Sequence, residues 1–90
     1  MQAVITVVGT DRVGILAKIA TICAEAGVNV EEVTQTILRG TFAMIMLVSL
    51  PDGGLPFGEL SSRLKDGGAA LGVDVNVTRQ DTFDAMHSIG

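Results

Sequence analysis

The amino-acid sequence predicts one α+β domain whose elements follow the order βαββαβ. Its length supports this prediction, because 90 residues suffice for one domain and are too few for two. Apolar side chains also switch along the chain between β-branched runs and helical spacing. Clusters of glycine, proline and aspartate separate these segments and indicate turns between them.

The first strand and first helix are predicted in the N-terminal third. Ala3–Val8 is a short, mostly β-branched apolar run that ends at Gly9. Asp11 is a candidate N-cap, because its carboxylate suits the first N–H groups of a helix. The helix itself is indicated by apolar residues that share one face, and Gly27 is a natural stop. These residues are Ile15, Leu16, Ile19, Ile22, Cys23 and Ala26.

A β-hairpin is predicted next, with Val28–Leu38 and Thr41–Leu50 as strands and Arg39-Gly40 as the turn. The second of these strands is apolar on both faces, with Phe42, Met44, Met46 and Val48 on one and Ala43, Ile45 and Leu47 on the other. Either the C-terminal tail covers part of a central strand, or an open face or edge of the sheet forms a dimer interface. The interface is favoured, since exposed apolar patches of this size mark contact sites.

A second helix and a fourth strand complete the pattern. Pro56 suits the first turn of a helix whose apolar positions are Phe57, Leu60, Leu64 and Leu71. Gly67-Gly68 costs that helix about 1 kcal/mol per glycine relative to alanine, so its C-terminal half is expected to be frayed or broken. Val73, Val75 and Val77 then alternate with polar residues, as in a strand with one buried face.

Together these elements predict a ferredoxin-like sandwich, a four-stranded antiparallel sheet with both helices on one face. The predicted domain spans residues 1–79. Residues 80–90 form a C-terminal tail with one or two helical turns.

Composition excludes several classes of protein. Hydrophobic residues make up 48% and charged residues 18%, which is unlike a disordered chain and more apolar than a small monomer needs. No apolar run approaches the length of a membrane span, and no signal-peptide pattern opens the chain, so a cytoplasmic protein is expected. A net charge of −4 and only three aromatic residues disfavour nucleic-acid binding.

The residues offer little for catalysis or metal binding. Cys23 lies on the predicted buried face of the first helix, where a small core hydrophobe is favoured over a reactive thiol. Glu31-Glu32 point to opposite faces of a strand, so they form no acid/base pair. A weak metal site is opposed by the poor ligand count and rigidity of the tail. We therefore expect no enzyme activity, cofactor or metal. The residues of the weak metal candidate are Asp81, Asp84 and His87.

Two local motifs suggest ligand binding. Gly9-x-x-x-x-Gly14 follows a strand and opens a helix, a context that suits a small carboxylate on backbone N–H groups. It lacks the Gly-Lys-Ser/Thr of a P-loop, so a nucleotide is not expected. Asn29 follows the first helix, where its amide is explained equally by turn chemistry and by contact with an amino acid.

The order of motifs resembles the ACT domain, a small regulatory module that binds amino acids. Gly9–Ile15 and Ala24–Val30 resemble its first loop and its helix-to-strand turn, and Gly40–Val48 is similar to the third strand in the glycine-cleavage transcriptional repressor. The resemblance covers nearly all of residues 1–79. A stand-alone, single-domain member is the nearest likeness.

The resemblance implies a homodimer, with two sheets joined side by side and an amino acid or related metabolite at the interface. It implies that one chain contributes the loop and its partner contributes the turn. The implied ligand-binding residues are Asp11, Arg12, Val13, Gly14 and, from the partner, Asn29. The output would pass to a regulated protein partner.

This sequence departs from the family at three positions. Asp11 and Gly9 stand where serine-regulated dehydrogenases have asparagine and histidine, and Val13 stands where proline is usual. These departures argue against serine as the ligand. Two alternatives remain: a ligand-free dimerisation module, and an acylphosphatase-like enzyme, which would use Arg12 but whose glycine-rich Phe-Arg signature is absent.

Overall fold

The computed structural model describes residues 1–86, and it confirms the predicted α+β fold and element order. A third helix follows the fourth strand. The elements are β1 (Gln2–Thr10), α1 (Ile15–Glu25), β2 (Asn29–Leu38), β3 (Thr41–Ser49), α2 (Phe57–Ala70), β4 (Val73–Arg79) and α3 (Gln80–Met86).

The four strands form one antiparallel sheet in the order β2-β3-β1-β4. β1 pairs with β3 from Gln2 to Thr10 and with β4 from Ala3 to Gly9. β2 and β4 are therefore the edges of the sheet. This arrangement is the predicted ferredoxin-like sandwich, and β1 lies near its middle.

The core lies between the sheet and the pair α1 and α2. Alternate residues of β1, β3 and β4 point into it, as expected for a sheet covered on one side, whereas β2 is exposed along almost all of its length. The largest fully buried side chains there include Ile5, Ile15, Ile19, Met44, Met46, Leu60 and Leu64. We call the opposite side of the sheet the open face.

β3 is apolar on both faces, as its sequence predicts. Phe42, Met44, Met46 and Val48 are buried beneath the helices. On the open face, Ala43 and Leu47 are half-buried and Ile45 is exposed. α3 packs against β1 and β4 and covers one end of this face, where Val4 of β1 is only 1% exposed. The rest of the open face has no cover from the described residues.

The predicted fraying of α2 at Gly67-Gly68 is wrong. The helix continues to Ala70, and both glycines are buried. A Cβ atom at Gly67 would collide with Ile22 of α1, and one at Gly68 would collide with Val75 of β4. The missing side chains let α2 pack closely on its neighbours, and that packing outweighs the low helix propensity of glycine.

Two further details differ from expectation. The N-cap of α1 is Gly14, with a left-handed φ of 91°, so Asp11 is not the cap. A β-bulge between Val30 and Glu32 interrupts the strict alternation expected at Glu31-Glu32. Glu31 there accepts a hydrogen bond of 3.1 Å from the side-chain amide of Gln2.

Candidate functional site

The loop from Asp11 to Gly14 connects the central strand to the first turn of α1. The backbone N–H of Asp11 donates a hydrogen bond of 2.8 Å to the carbonyl of Gly40. This bond fastens the loop to the turn of the β2–β3 hairpin. The side chains of Asp11, Arg12 and Val13 are all exposed.

Arg12 joins the loop to the far end of α2. Its Nη1 donates a hydrogen bond of 3.0 Å to the carbonyl oxygen of Leu71. The last turn of α2 holds no basic residue of its own, so Arg12 supplies the positive charge that suits a helix C-terminus. A guanidinium has five N–H donors, so this bond leaves others for a ligand carboxylate.

Val13 and Gly14 complete the loop. Val13 is 99% exposed, an unusual position for a branched apolar side chain. Gly14 adopts its left-handed conformation easily because it has no Cβ atom. No side chain caps this end of α1, and its first turn has no acidic residue. The loop therefore combines an exposed carboxylate, a guanidinium and an uncapped helix start.

Gly9 lies within β1, just before the loop. A Cβ atom there would lie 2.6 Å from Cγ1 and 2.9 Å from Cα of Val73 in β4. The backbone of β4 therefore occupies the space that any side chain at Gly9 would need. Any larger residue at this position, a histidine included, would therefore require β4 to move.

Asn29 lies at the other end of the sheet from the loop. It pairs with Ser49 at the end of β3, whereas the loop follows Thr10, which pairs with Thr41 at the start of β3. The length of β3 separates them by roughly 27 Å. Within one chain, the structure brings Asp11–Gly14 together and leaves Asn29 apart from them.

The structure adds two neighbours that the sequence pattern does not reveal. The Arg39-Gly40 turn lies beside Asp11, and the C-terminus of α2 lies beside Arg12. The turn itself is evident from its sequence, and Arg39 has the left-handed φ of 52° that such turns require. Its contact with the loop depends on strand order, which local patterns do not encode.

The other chemical candidates give no site among residues 1–86. Cys23 is fully buried, and burial raises the pKa of its thiol, which opposes the thiolate needed for nucleophilic attack. Within this range, no three histidine, cysteine, aspartate or glutamate residues are grouped to hold a metal. His87, the third ligand of the weak metal candidate, lies outside the described residues. None of the helices in this range is long and apolar enough to span a membrane.

Comparison with known proteins defines the class. The sequence model of the ACT domain family matches residues 1–78, so the chain belongs to the ACT domain family. More particularly, it is 46% identical over 88 residues to a UPF0237 protein of Methanopyrus kandleri, with 98% of each chain covered.

Solved structures agree with this assignment. An ACT domain protein from Streptococcus pneumoniae superposes with a TM-score of 0.79 at 33% identity, covering all of this chain and 97% of that one. A candidate glycine cleavage system transcriptional repressor superposes with a TM-score of 0.66 at 25% identity. That match covers 88% of this chain and 45% of the repressor. The resemblance predicted from the motifs is confirmed.

Proposed function

We propose that this protein is a homodimeric regulatory domain that binds an amino acid or a related metabolite and catalyses no reaction on it. The observation that carries the proposal is the loop Asp11–Gly14. Asp11 offers a carboxylate for a ligand ammonium, and Arg12 with the start of α1 offers donors for a ligand carboxylate. An amino acid presents both of these groups.

The distance between the loop and Asn29 supports pairing through β2. β2 is an edge strand that is exposed along almost all of its length, so its outer backbone groups are available to another strand. Antiparallel pairing of two β2 strands about a twofold axis would place Asn29 of one chain beside Leu38 of the other. Leu38 precedes Gly40, which holds the loop through Asp11. Such a dimer would complete a site that one chain leaves divided.

A regulatory output follows from the same arrangement. A ligand that contacts both chains binds the paired state better than the separated one, and it shifts the population toward that state. The paired state would then be recognised by a regulated protein partner. This role requires no catalytic residue in the loop.

A ligand-free dimerisation module is the second candidate. It is favoured by one observation, the engagement of Arg12 with Leu71, which gives the arginine a structural use without any ligand. The two candidates differ in whether any small molecule stabilises the dimer.

The test is a thermal-shift screen of the twenty amino acids on the wild-type protein. An effector at a hundredfold excess over its Kd should add about 2.7 kcal/mol of stability. We expect Asp11→Asn and Asn29→Ala to abolish the shift. Asp66→Asn removes the same charge from an exposed position on α2 and should retain it. No shift with any amino acid would contradict ligand binding and leave the dimerisation module.

A further inference from the structure

We propose that the open face of the sheet is a second docking surface, and that its occupant is the open face of another copy of this chain. This surface is separate from the β2 edge and from the loop Asp11–Gly14. The proposal therefore goes beyond ligand binding and can fail without it.

The centre of the open face is apolar and uncharged. Val8 is 49% exposed and Ile45 is 46% exposed, although both belong to the middle strands of the sheet. The residues around them are threonines and an alanine on β1, β2 and β3: Thr6, Thr34, Thr36, Thr41 and Ala43. The charged side chains of this face lie toward its margins, at Glu32 and Asp74 on the strands and at Asp84 on α3.

This charge pattern favours a second copy as the occupant. The chain carries a net charge of −4, so two copies repel each other through most of their surfaces. An uncharged patch is where identical acidic chains can meet at the least electrostatic cost. Because the patch is identical on both, it must also be complementary to itself.

The shape of the open face supplies that complementarity, because the face carries both a ridge and a groove. A shallow groove of about 270 Å³ with an almost wholly apolar lining runs between Val8, Thr36 and Ile45. A second groove of about 280 Å³ shares Ile45 and separates the sheet from α3. α3 is thus a ridge over one end of the face, and the apolar groove occupies the other.

A twofold axis would place the ridge of each copy over the groove of the other. Met86, at the C-terminal end of α3, is 63% exposed. It is a flexible apolar side chain of the kind that fills irregular grooves. In this arrangement Met86 would be buried against the partner rather than left in water.

The available area matches a stable interface. Four strands of about eight residues present a plane of roughly 500 Å². α3 lies over one end of this plane, so two copies would bury about 1,000 Å² in total, which reaches the lower limit for a specific interface. The face is therefore large enough to hold two copies together.

The open face also continues across the β2 edge. Side-by-side pairing about an axis perpendicular to the sheet puts the open faces of both chains on the same side. Two such dimers would then stack face to face and form a tetramer. Edge pairing and face docking use different residues and can be removed separately.

The test compares three glutamate variants by native mass at micromolar concentrations. Ile45→Glu places a charge in the centre of the face, Val33→Glu places one in the middle of the β2 edge, and Ser62→Glu is the control on the exposed side of α2. We expect the wild type to be a tetramer of two edge-paired dimers, Ile45→Glu and Val33→Glu each to be a dimer, and Ser62→Glu to remain a tetramer. The amino-acid thermal shift should persist in Ile45→Glu.

The remaining outcomes also decide the question. A wild-type dimer that Ile45→Glu converts to a monomer, while Val33→Glu leaves it intact, supports face docking and contradicts edge pairing. If Ile45→Glu has the same native mass as the wild type, face docking is wrong, because the open face is then bare or covered by a different molecule. Val8→Glu on the neighbouring strand repeats the test, and urea unfolding of each variant confirms that it is folded.

Discussion

The thiol of Cys23 is buried on the side of α1 that packs against the sheet. Its position in the core follows from the helical spacing of the apolar residues around it, and that prediction is confirmed. Burial favours the neutral thiol over the thiolate, so the pKa of Cys23 is raised from its ordinary value of 9.0. In the unfolded chain the same thiol titrates normally.

This difference predicts a loss of stability at alkaline pH. Above about pH 9 the unfolded chain releases the thiol proton while the folded chain retains it, so unfolding becomes easier as pH rises. The effect is absent at pH 7, where both states hold the proton. We expect the stability of the wild type relative to Cys23→Ala to decrease between pH 9 and pH 10.5, measured by urea unfolding. Parallel pH profiles for the two proteins would contradict a raised pKa.

At the level of the elements, the two adjacent glycines of α2 have different neighbours. At Gly68 a Cβ atom would meet Val75, a stiff and buried β-branched residue of β4, and would lie 3.2 Å from the carbonyl oxygen of Val73. At Gly67 it would meet only the end of the Ile22 side chain, which can rotate away. The same substitution should therefore have different costs at neighbouring positions.

We expect Gly68→Ala to lower the free energy of unfolding by about 1–2 kcal/mol, because overpacking exceeds the gain in helix propensity. Gly67→Ala should change it little. Gly58→Ala, in open space near the start of the same helix, should raise it by about 0.5 kcal/mol. Urea unfolding at one protein concentration measures all three. Equal destabilisation at Gly67 and Gly68 would show that packing against Val75 is not the cause.

These glycines also show what the sequence can and cannot predict. Local spacing predicts every strand and both long helices, because periodicity and turn chemistry act between near neighbours. It fails at Gly67-Gly68, where the outcome depends on Ile22 and Val75, which are remote in sequence. It fails again at Asp11, because the cap of α1 is decided by the left-handed Gly14 and by a bond to the hairpin.

At the level of the whole molecule, the candidate site also has one part that the sequence predicts and one part that it does not. Its loop is evident from motif order, since Asp11–Gly14 are consecutive. Asn29 lies at the opposite end of the sheet, because β1 and β2 run parallel and β2 begins at the end where β1 began. The proposed pairing of two chains through β2 would relate Asn29 to the loop, and local patterns in one sequence do not specify that pairing.

We therefore expect pairing through the β2 edge to contribute to the oligomeric state of the protein in solution. Val33 lies near the middle of β2, so a twofold axis through the strand places the two copies of Val33 close together. In Val33→Glu, the two added glutamates would lie diagonally across the axis, on the same face of the paired strands, and the repulsion between their like charges would weaken strand pairing. We expect this variant to lose the edge interface in native mass measurements, and with it the amino-acid thermal shift.

Ser62→Glu provides the matched control, with the same added charge on α2. It should keep both the wild-type mass and the thermal shift. A Val33→Glu protein that retains both would show that β2 does not pair with its copy.

The place of β1 in the sheet has a consequence for how the chain folds. β1 pairs with β4, the last strand of the domain, from Ala3 with Arg79 to Gly9 with Val73. The sheet therefore cannot close until all the segments between these two strands are available. Contacts between such distant segments slow folding, because a long loop must be closed before they form. Until then the apolar β1 lacks one of its two neighbouring strands, and exposed apolar strands of this kind promote aggregation.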